Sequence, residues 1–146
     1  MPALNHSEIK NILPHRYPFM LLDRVLDYEK QVSIKALKNV TQNEEYFNGH
    51  FPHRPLMPGV LVIEACAQAG ALLSFLSLDD KPNESSDVFF AGIDKARFKR
   101  LIVPGDQLIL QVTIDRIKNH LWKYHAEAYI DGQLAVEADL MNSVRL

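Results

Sequence analysis

His50 and Glu64 are the two side chains whose type and surroundings are best suited to chemistry. His50 lies between Gly49 and Phe51-Pro52, in a loop that proline makes stiff. Glu64 follows in an apolar run, where a carboxylate is costly to bury because its charged form loses water. A carboxyl group with a raised pKa beside a histidine can move protons at neutral pH. The sequence therefore predicts acid–base catalysis by these two residues.

Each of the two residues also has a structural interpretation. Glu64 could bond to neighbouring backbone or to another subunit, and Gln68, one turn later on the same helix face, could orient it in either case. We favour function for both, because buried charges seldom persist without a partner and loop residues on a rigid scaffold often carry chemistry. Surface or structural roles fit the histidines elsewhere in the chain, namely His6, His15, His120 and His125.

Other kinds of site have weaker support. His50 and His53 are three positions apart, but a proline separates them and no Cys, Asp or Glu nearby completes a metal ligand set. There is no glycine-rich phosphate loop or Gly-x-Ser-x-Gly motif, and Ser74 and Ser77 lie inside a helical pattern. The densest basic cluster consists of Lys95, Arg97, Lys99 and Arg100. The residues alone favour a solvated strand face for this cluster. The alternative is a docking patch for an acidic partner.

Length and composition indicate one globular domain spanning residues 1–146. The chain is 47% hydrophobic and 23% charged, and its net charge of -2 gives no reason to expect nucleic acid as a partner. Its one cysteine, Cys66, suits a reducing cytoplasm, and no secretory signal is recognised. Residues 56–78 could span a membrane by length, but a central carboxylate costs about 2.5–3.5 kcal/mol there, so we expect a buried helix instead.

The patterns predict two strands, one long helix and about four more strands. A short helix is expected over residues 7–13 with Ser7 as its N-cap, and the long helix runs from Pro58 to about Ser77. Strands are expected over 19–27 and 32–40, the second with Val32, Ile34, Ala36 and Val40 on one face, and a helical turn within 41–49. The later strands, over 88–99, 108–114, 122–130 and 134–140, form a meander with turns at 104–106 and 131–132.

Two further features concern the surroundings of the long helix. It is apolar on nearly every side, so we expect a sheet to wrap around it. The polar loop 78–87 that follows is the best candidate for a mobile segment. The order of strands and helix, with one helix enclosed by a sheet, predicts an α+β fold.

The segment around the two candidate residues resembles the FabZ-type (3R)-hydroxyacyl-acyl-carrier-protein dehydratases. The resemblance is carried by His50-Phe51-Pro52-x-x-Pro55-x-Met57-Pro58-Gly59-Val60-Leu61-x-x-Glu64-Ala65-x-Ala67-Gln68. It extends to residues 13–19, 93–98 and 103–106, and so covers most of the chain. FabA-type dehydratase-isomerases are less similar, because they carry aspartate where this chain has Glu64.

The resemblance implies a hotdog fold, in which a curved antiparallel sheet wraps one central helix. It also implies a homodimer, often a trimer of dimers, in which His50 of one subunit faces Glu64 of the other. The activity it implies is dehydration of a 3-hydroxyacyl chain carried on acyl carrier protein, in fatty acid biosynthesis, with no metal or redox cofactor. His50 would take the C2 proton, and protonated Glu64, or a water it holds, would protonate the departing hydroxyl.

Further roles follow from the same resemblance. The backbone N–H groups of Gly59 and Val60 would bind the thioester oxygen at the helix start, with Gln68 supporting Glu64. The resemblance also favours the docking interpretation of the basic cluster, because acyl carrier protein is acidic. Two alternatives stay open, a hotdog-fold acyl thioesterase and a non-catalytic acyl-binding module. Acyl chain length and dimer versus hexamer are undecided.

Overall fold

Two helices and six strands, with one 3₁₀ turn, make up the computed structural model, which describes residues 3–78, 83 and 86–145. In chain order they are α1 (His6–Lys10), β1 (Arg24–Glu29), β2 (Ser33–Asn39), the 3₁₀ turn (Glu45–Asn48), α2 (Gly59–Ser77), β3 (Asp87–Phe98), β4 (Gln107–Lys118), β5 (Leu121–Ile130) and β6 (Gln133–Arg145). The predicted loop 78–87 lies largely outside the described residues, so its mobility remains a prediction.

The strands form one antiparallel sheet in the order β1-β2-β4-β5-β6-β3. Strands β4, β5 and β6 form the predicted meander, but β3 does not join it through β4. It pairs instead with β6, with Ile93 opposite Leu140, and is the last strand at that edge. The meander prediction was therefore wrong for β3, because alternation of residues identifies a strand without identifying its neighbour.

Helix α2 lies inside the curve of the sheet, as predicted. It is buried over most of its surface and contacts the inner faces of β2, β4, β5 and β6. Its length and hydropathy alone would let it cross a membrane, but 72% of that span is buried within the protein. Ser74 and Ser77 are buried and donate to the helix carbonyls of Gly70 and Leu73. This arrangement is the hotdog fold.

Two predicted boundaries were wrong for identifiable reasons. Helix α1 begins earlier than expected because Asn5, not Ser7, is its N-cap. The Asn5 side chain accepts from the Glu8 N–H at 2.9 Å, while Glu8 Oε1 accepts from the Asn5 N–H at 3.1 Å. The helix ends at Lys10. Ile34 and Ala36 in β2, and Val40 just after it, are buried as predicted, but Val32, just before the strand, is 42% exposed.

The first strand begins at Arg24 rather than near residue 19, because the backbone of Phe19 and Leu21 bonds to α2 instead of to a strand. Gln68 Nε2 donates to the Phe19 carbonyl at 2.7 Å, and the Leu21 N–H donates to Gln68 Oε1 at 3.0 Å. Both turn predictions were correct. Gly105 has φ 99°, and Asp131 and Gly132 have φ 50° and 79°, as a tight hairpin between β5 and β6 requires.

Candidate active site

Three hydrogen bonds hold His50 in the loop before α2. Its N–H donates to the Tyr46 carbonyl at 3.0 Å, and its own carbonyl accepts from the Leu56 N–H at 3.0 Å. The ring Nδ1 lies 2.7 Å from the Leu56 carbonyl oxygen. A carbonyl can only accept, so Nδ1 carries a proton and donates. In the neutral ring the lone pair is then on Nε2, which can act as a base.

His50 lines a cavity of about 320 Å³ at the start of α2, which we call the His50 cavity. Its walls are mostly apolar: Leu56, Met57, Gly59, Val60, Phe98, Leu101, Ile102 and Val136, with Arg100 as the charged member. The volume and the apolar lining are those of a pocket for a small apolar group. The structure thus brings together His50, Gly59, Val60 and Arg100 from the predicted site.

Gly59 opens α2 where the Phe98 ring leaves no room for a side chain. A Cβ at Gly59 would lie 2.5 Å from Phe98 Cε1 and 2.6 Å from Cδ1. Gly59 and Val60 are the first two residues of the helix, where N–H groups have no intrahelical acceptor and the helix dipole is positive. Both residues line the His50 cavity, so this end of α2 can stabilise negative charge that develops there.

Glu64 lines a second and smaller cavity of about 40 Å³, the Glu64 cavity. Burial raises the pKa of Glu64, and a hydrogen bond from Gln68 partly offsets the increase. Because burial disfavours the ionised form, this carboxyl keeps its proton to a higher pH than an exposed glutamate. The cavity is large enough for a water molecule beside it.

Gln68 is buried, and both the oxygen and the nitrogen of its side-chain amide form hydrogen bonds. Besides bonding to Glu64, it holds the backbone of Phe19 and Leu21 through the two hydrogen bonds described above. It therefore holds the segment after α1 against α2, while its predicted support of Glu64 in the reaction stays a prediction.

Within one chain the structure does not bring His50 and Glu64 together. They line different cavities, which touch opposite ends of β3. The Glu64 cavity is bordered by Val88, Phe89 and Phe90, and the His50 cavity by Phe98. A site that contains both residues would therefore need a second subunit, and the shared site implied by the resemblance stays a prediction.

His15 lies in the Glu64 cavity, although the sequence placed it among histidines with surface or structural roles. Its Nδ1 is buried with no hydrogen-bond partner among the described residues. Burial, with the nearby Arg16 charge, lowers the pKa of His15, which favours the neutral ring. The sequence could have pointed to His15 through its position in residues 13–19, one of the stretches that resemble the dehydratase family.

The four predicted docking residues do not form one patch. Arg100 lines the His50 cavity and lies 3.6 Å from Asp106, whereas Lys99 pairs with Glu137 at 3.4 Å. Lys95 and Arg97 border a separate cleft with His125, Glu137 and Asp139. A bulge between Asp94 and Arg97, with Lys95 at φ 53°, interrupts the predicted alternation of this strand.

One group among the described residues brings three metal-ligand atoms close together, and it is not at either cavity. His125, Glu127 and Glu137 have these atoms within 4.8 Å of one another. His125 Nδ1 bonds to Asp139 Oδ1 at 2.8 Å, which raises the pKa of this histidine. Glu137 is also paired with Lys99, so ordinary ion pairs on an exposed strand face explain the group.

The structure combines a hotdog fold with a cavity lined by His50 at the start of α2 and a half-buried Glu64 five residues further along the helix. The chain matches the family model of the FabA-like domain over residues 13–139. It is 59% identical over 145 residues to the 3-hydroxyacyl-[acyl-carrier-protein] dehydratase FabZ of Janthinobacterium sp. (strain Marseille), which covers 99% of this chain and 93% of the relative. It is 60% identical over 134 residues to the FabZ of Aromatoleum aromaticum, with 92% of each chain covered. The chain therefore belongs to the FabA-like family, and its relatives at this level of identity are FabZ dehydratases.

Solved structures with lower identity support the fold alone. The dehydratase heterocomplex ApeI:P from Xenorhabdus doucetiae matches with a TM-score of 0.77 at 18% identity, over 100% of this chain and 92% of that one. A hypothetical thioesterase with coenzyme A from Streptococcus pneumoniae matches with a TM-score of 0.62 at 11% identity, over 83% and 84% of the two chains.

Proposed function

We propose that this protein dehydrates (3R)-3-hydroxyacyl-[acyl-carrier-protein] to trans-2-enoyl-[acyl-carrier-protein] in cytoplasmic fatty acid biosynthesis. The observation that carries the proposal is the hydrogen bond from His50 Nδ1 to the Leu56 carbonyl, inside an apolar cavity at the start of α2. It leaves Nε2 as the basic nitrogen, and Gly59 and Val60 at the helix start line the same cavity as His50. A base next to a site for developing negative charge is what removal of a proton from C2 of a thioester requires.

In the proposed reaction, His50 removes one proton from the substrate and Glu64 donates one proton to it. His50 Nε2 takes a proton from C2, and the C2–H electrons form the double bond to C3 as the C3–O bond breaks. Glu64, whose pKa is raised by burial, is proposed to give its proton to the departing hydroxyl, directly or through a water, so that water leaves. Transfer of the proton from His50 back to Glu64 then resets the site.

During proton removal, negative charge develops on the thioester oxygen. The N–H groups of Gly59 and Val60 are proposed to bind this oxygen. The absence of a side chain at Gly59 leaves room for the Phe98 ring, which packs against the start of α2 where a Cβ would otherwise lie. Since these donors belong to a rigid helix, they need little rearrangement when the charge forms.

A homodimer is proposed to complete the site by pairing β3 with the β3 of a second copy. As an edge strand, β3 has unpaired backbone groups, and it exposes the apolar side chains of Phe89, Phe90, Ile93 and Phe98. The two cavities are separated along β3 by roughly 25–30 Å, at about 3.3 Å per residue. Antiparallel pairing reverses one strand, which places the Glu64 end of one chain beside the His50 end of the other.

The proposed partner is an acyl carrier protein bearing the 3-hydroxyacyl thioester. Arg100 supports this best among the four basic residues, because it lies at the His50 cavity. Lys99, which immediately precedes Arg100, is half-exposed. Lys95 and Arg97 line a cleft that also contains Glu137 and Asp139, whose negative charges make that cleft less suited to an acidic partner.

The decisive experiment incubates the purified protein with (3R)-hydroxybutyryl carrier protein and follows the carrier by mass spectrometry. Loss of one water from the acyl chain is expected, and release of free carrier thiol would indicate a thioesterase instead. The His50→Ala variant should lose about 10²–10⁴-fold in rate, because a general base contributes that much. His53→Ala, in the same loop but exposed, is the control and should remain active.

A further inference from the structure

Lys38 occupies a position in β2 that the strand pattern reserves for apolar side chains. Ile34, Ala36 and Val40, at the same alternation, are buried, and Lys38 is itself only 5% exposed. An ammonium group in such a position loses its hydration, so it requires an anionic partner. The identity of that partner indicates what Lys38 does.

Glu44 is the partner, and it ties β2 to the loop that follows. Lys38 Nζ forms an ion pair with Glu44 Oε1 and also donates to the Asn39 carbonyl at 3.0 Å. The second carboxylate oxygen of Glu44 accepts from the Thr41 N–H at 3.0 Å. Both carboxylate oxygens are therefore used, and the Glu44 side chain is 16% exposed.

From Glu44, a single turn leads to His50. Glu44 immediately precedes the 3₁₀ turn, and its carbonyl accepts from the Phe47 N–H at 3.2 Å. In the same turn, the Tyr46 carbonyl accepts from the N–H groups of Gly49 and His50 at 3.2 and 3.0 Å. The backbone that carries His50 is thus anchored at one end by the Lys38–Glu44 pair and at the other by Leu56.

We propose that Lys38 and Glu44 are a positioning pair for His50, fixing the turn so that the ring stays in line with its acceptor on Leu56. The inference rests on the function proposed above for His50. Stability alone does not account for the pair, because apolar residues of similar size often replace a buried ion pair at no cost. A geometric role does account for it, since an ion pair with both oxygens engaged allows few arrangements of the turn.

The test compares Glu44→Gln with Glu45→Gln. Both changes remove one negative charge from neighbouring positions, but Glu45 is exposed, and no ion pair is found for it in the part of the chain that the structure describes. We expect kcat for Glu44→Gln to fall about 10- to 100-fold, because small misplacement of a catalytic group has effects of this size. KM should change less than about twofold, because the cavity walls are untouched.

A second measurement reads the loop directly. Hydrogen exchange followed by mass spectrometry should show faster exchange in peptides covering residues 45–57 of Glu44→Gln, and unchanged exchange in peptides from α2. Unchanged loop exchange would overturn the proposal, as would normal kcat in a folded Glu44→Gln protein. Glu45→Gln should match the wild type in both measurements.

The double variant Lys38→Met/Glu44→Gln distinguishes loss of the positioning pair from the effect of leaving the Lys38 charge unpaired. It also tests the proposal if Glu44→Gln alone does not fold. It contains no unpaired buried charge, so it should melt near the wild type. A positioning role predicts that kcat remains low and loop exchange remains fast. Full recovery of both would overturn the proposal. Lys35→Met, at an exposed position of the same strand, is the matched control.

The outcomes for the two proposals are distinguishable. If the wild-type protein fails to dehydrate hydroxyacyl carrier protein, the proposed function is wrong, while the exchange comparison still tests whether the pair holds the loop. If the wild type is active and Glu44→Gln behaves like Glu45→Gln, only the positioning role is wrong.

Discussion

The Nδ1 atom of His50 donates to the carbonyl oxygen of Leu56 across 2.7 Å, while the Leu56 N–H donates to the His50 carbonyl. The backbone of Leu56 therefore bonds to both the side chain and the backbone of His50. This pairing selects the tautomer with a basic Nε2 and restricts rotation of the ring. It holds the ring in a fixed position within a proline-rich loop that has no regular secondary structure between Gly49 and Gly59, as the proposed role of His50 requires.

The first prediction concerns Glu64 and the pH dependence of stability. Burial raises the pKa of Glu64 from its ordinary value of 4.5, so the folded chain holds this proton to higher pH than the unfolded chain does. The associated stability is fully present below 4.5 and is lost as pH rises through the raised pKa. Glu64→Gln, which cannot ionise, should therefore match the wild type at low pH and melt at a higher temperature than it at pH 8.

Thermal melts of both proteins between pH 4 and pH 8 check this, with Glu45→Gln as the control for loss of a charge on an exposed turn. The same Glu64→Gln variant should have lost dehydratase activity. A variant no more stable than the wild type at pH 8 would contradict the account of a carboxyl disfavoured by burial.

The second prediction concerns the contact between Gly59 and Phe98. A methyl group at position 59 would lie within 2.6 Å of two ring carbons, so either Phe98 or the start of α2 must move. Gly59→Ala should lower the free energy of unfolding by about 1–3 kcal/mol, as overpacking does. It should also lower kcat, because the Gly59 and Val60 N–H groups shift. Denaturant titration and steady-state kinetics measure the two effects.

Gly49→Ala is the matched control, because a Cβ there meets no atom within 4 Å. Reducing the ring in Gly59→Ala/Phe98→Leu should restore part of the stability. If the double variant is no better than Gly59→Ala, the clash is not with Phe98.

The third prediction tests the composite site by mixing two inactive variants. If His50 and Glu64 of one site belong to different subunits, a hybrid of His50→Ala and Glu64→Gln subunits has one site with both residues intact. Random exchange in a dimer should then restore about a quarter of wild-type activity, because half of the dimers are hybrids with one working site each. Native mass spectrometry reports the exchange itself. Inactive mixtures after complete exchange would rule out a shared site.

The fourth prediction concerns the basic residues near the His50 cavity. Lys99→Glu should lower kcat/KM for carrier-bound substrate by about tenfold at low salt, because charges at an interface rim act mainly on the encounter rate. It should leave kcat/KM for a small thioester mimic nearly unchanged. Lys118→Glu, at the opposite end of the sheet, provides the comparison. An equal decrease in kcat/KM with both substrates would show that Lys99 does not act in docking of the carrier protein.

Part of this molecule could be predicted from the sequence because hydrophobic periodicity directly reports burial. The uniform apolarity of residues 59–77 predicted a helix enclosed by a sheet, and the alternation in β4, β5 and β6 predicted their strands. Asp131-Gly132 predicted its hairpin because only a few residue types accept positive φ. His50 and Glu64 were recognised as chemically unusual for their surroundings, and the dehydratase motif followed from the residues between them.

Tertiary structure alone decided which of these elements meet. Periodicity tells which face of a strand is buried but not which strand lies beside it, so the pairing of β3 with β6 could not be read from its residues. The bonds of Gln68 to residues 19 and 21, the approach of His15 to Glu64, and the burial of Lys38 against Glu44 all join positions that local pattern treats separately. Such contacts arise only when the sheet curves around α2, because closure of the fold, not local propensity, brings these side chains within reach.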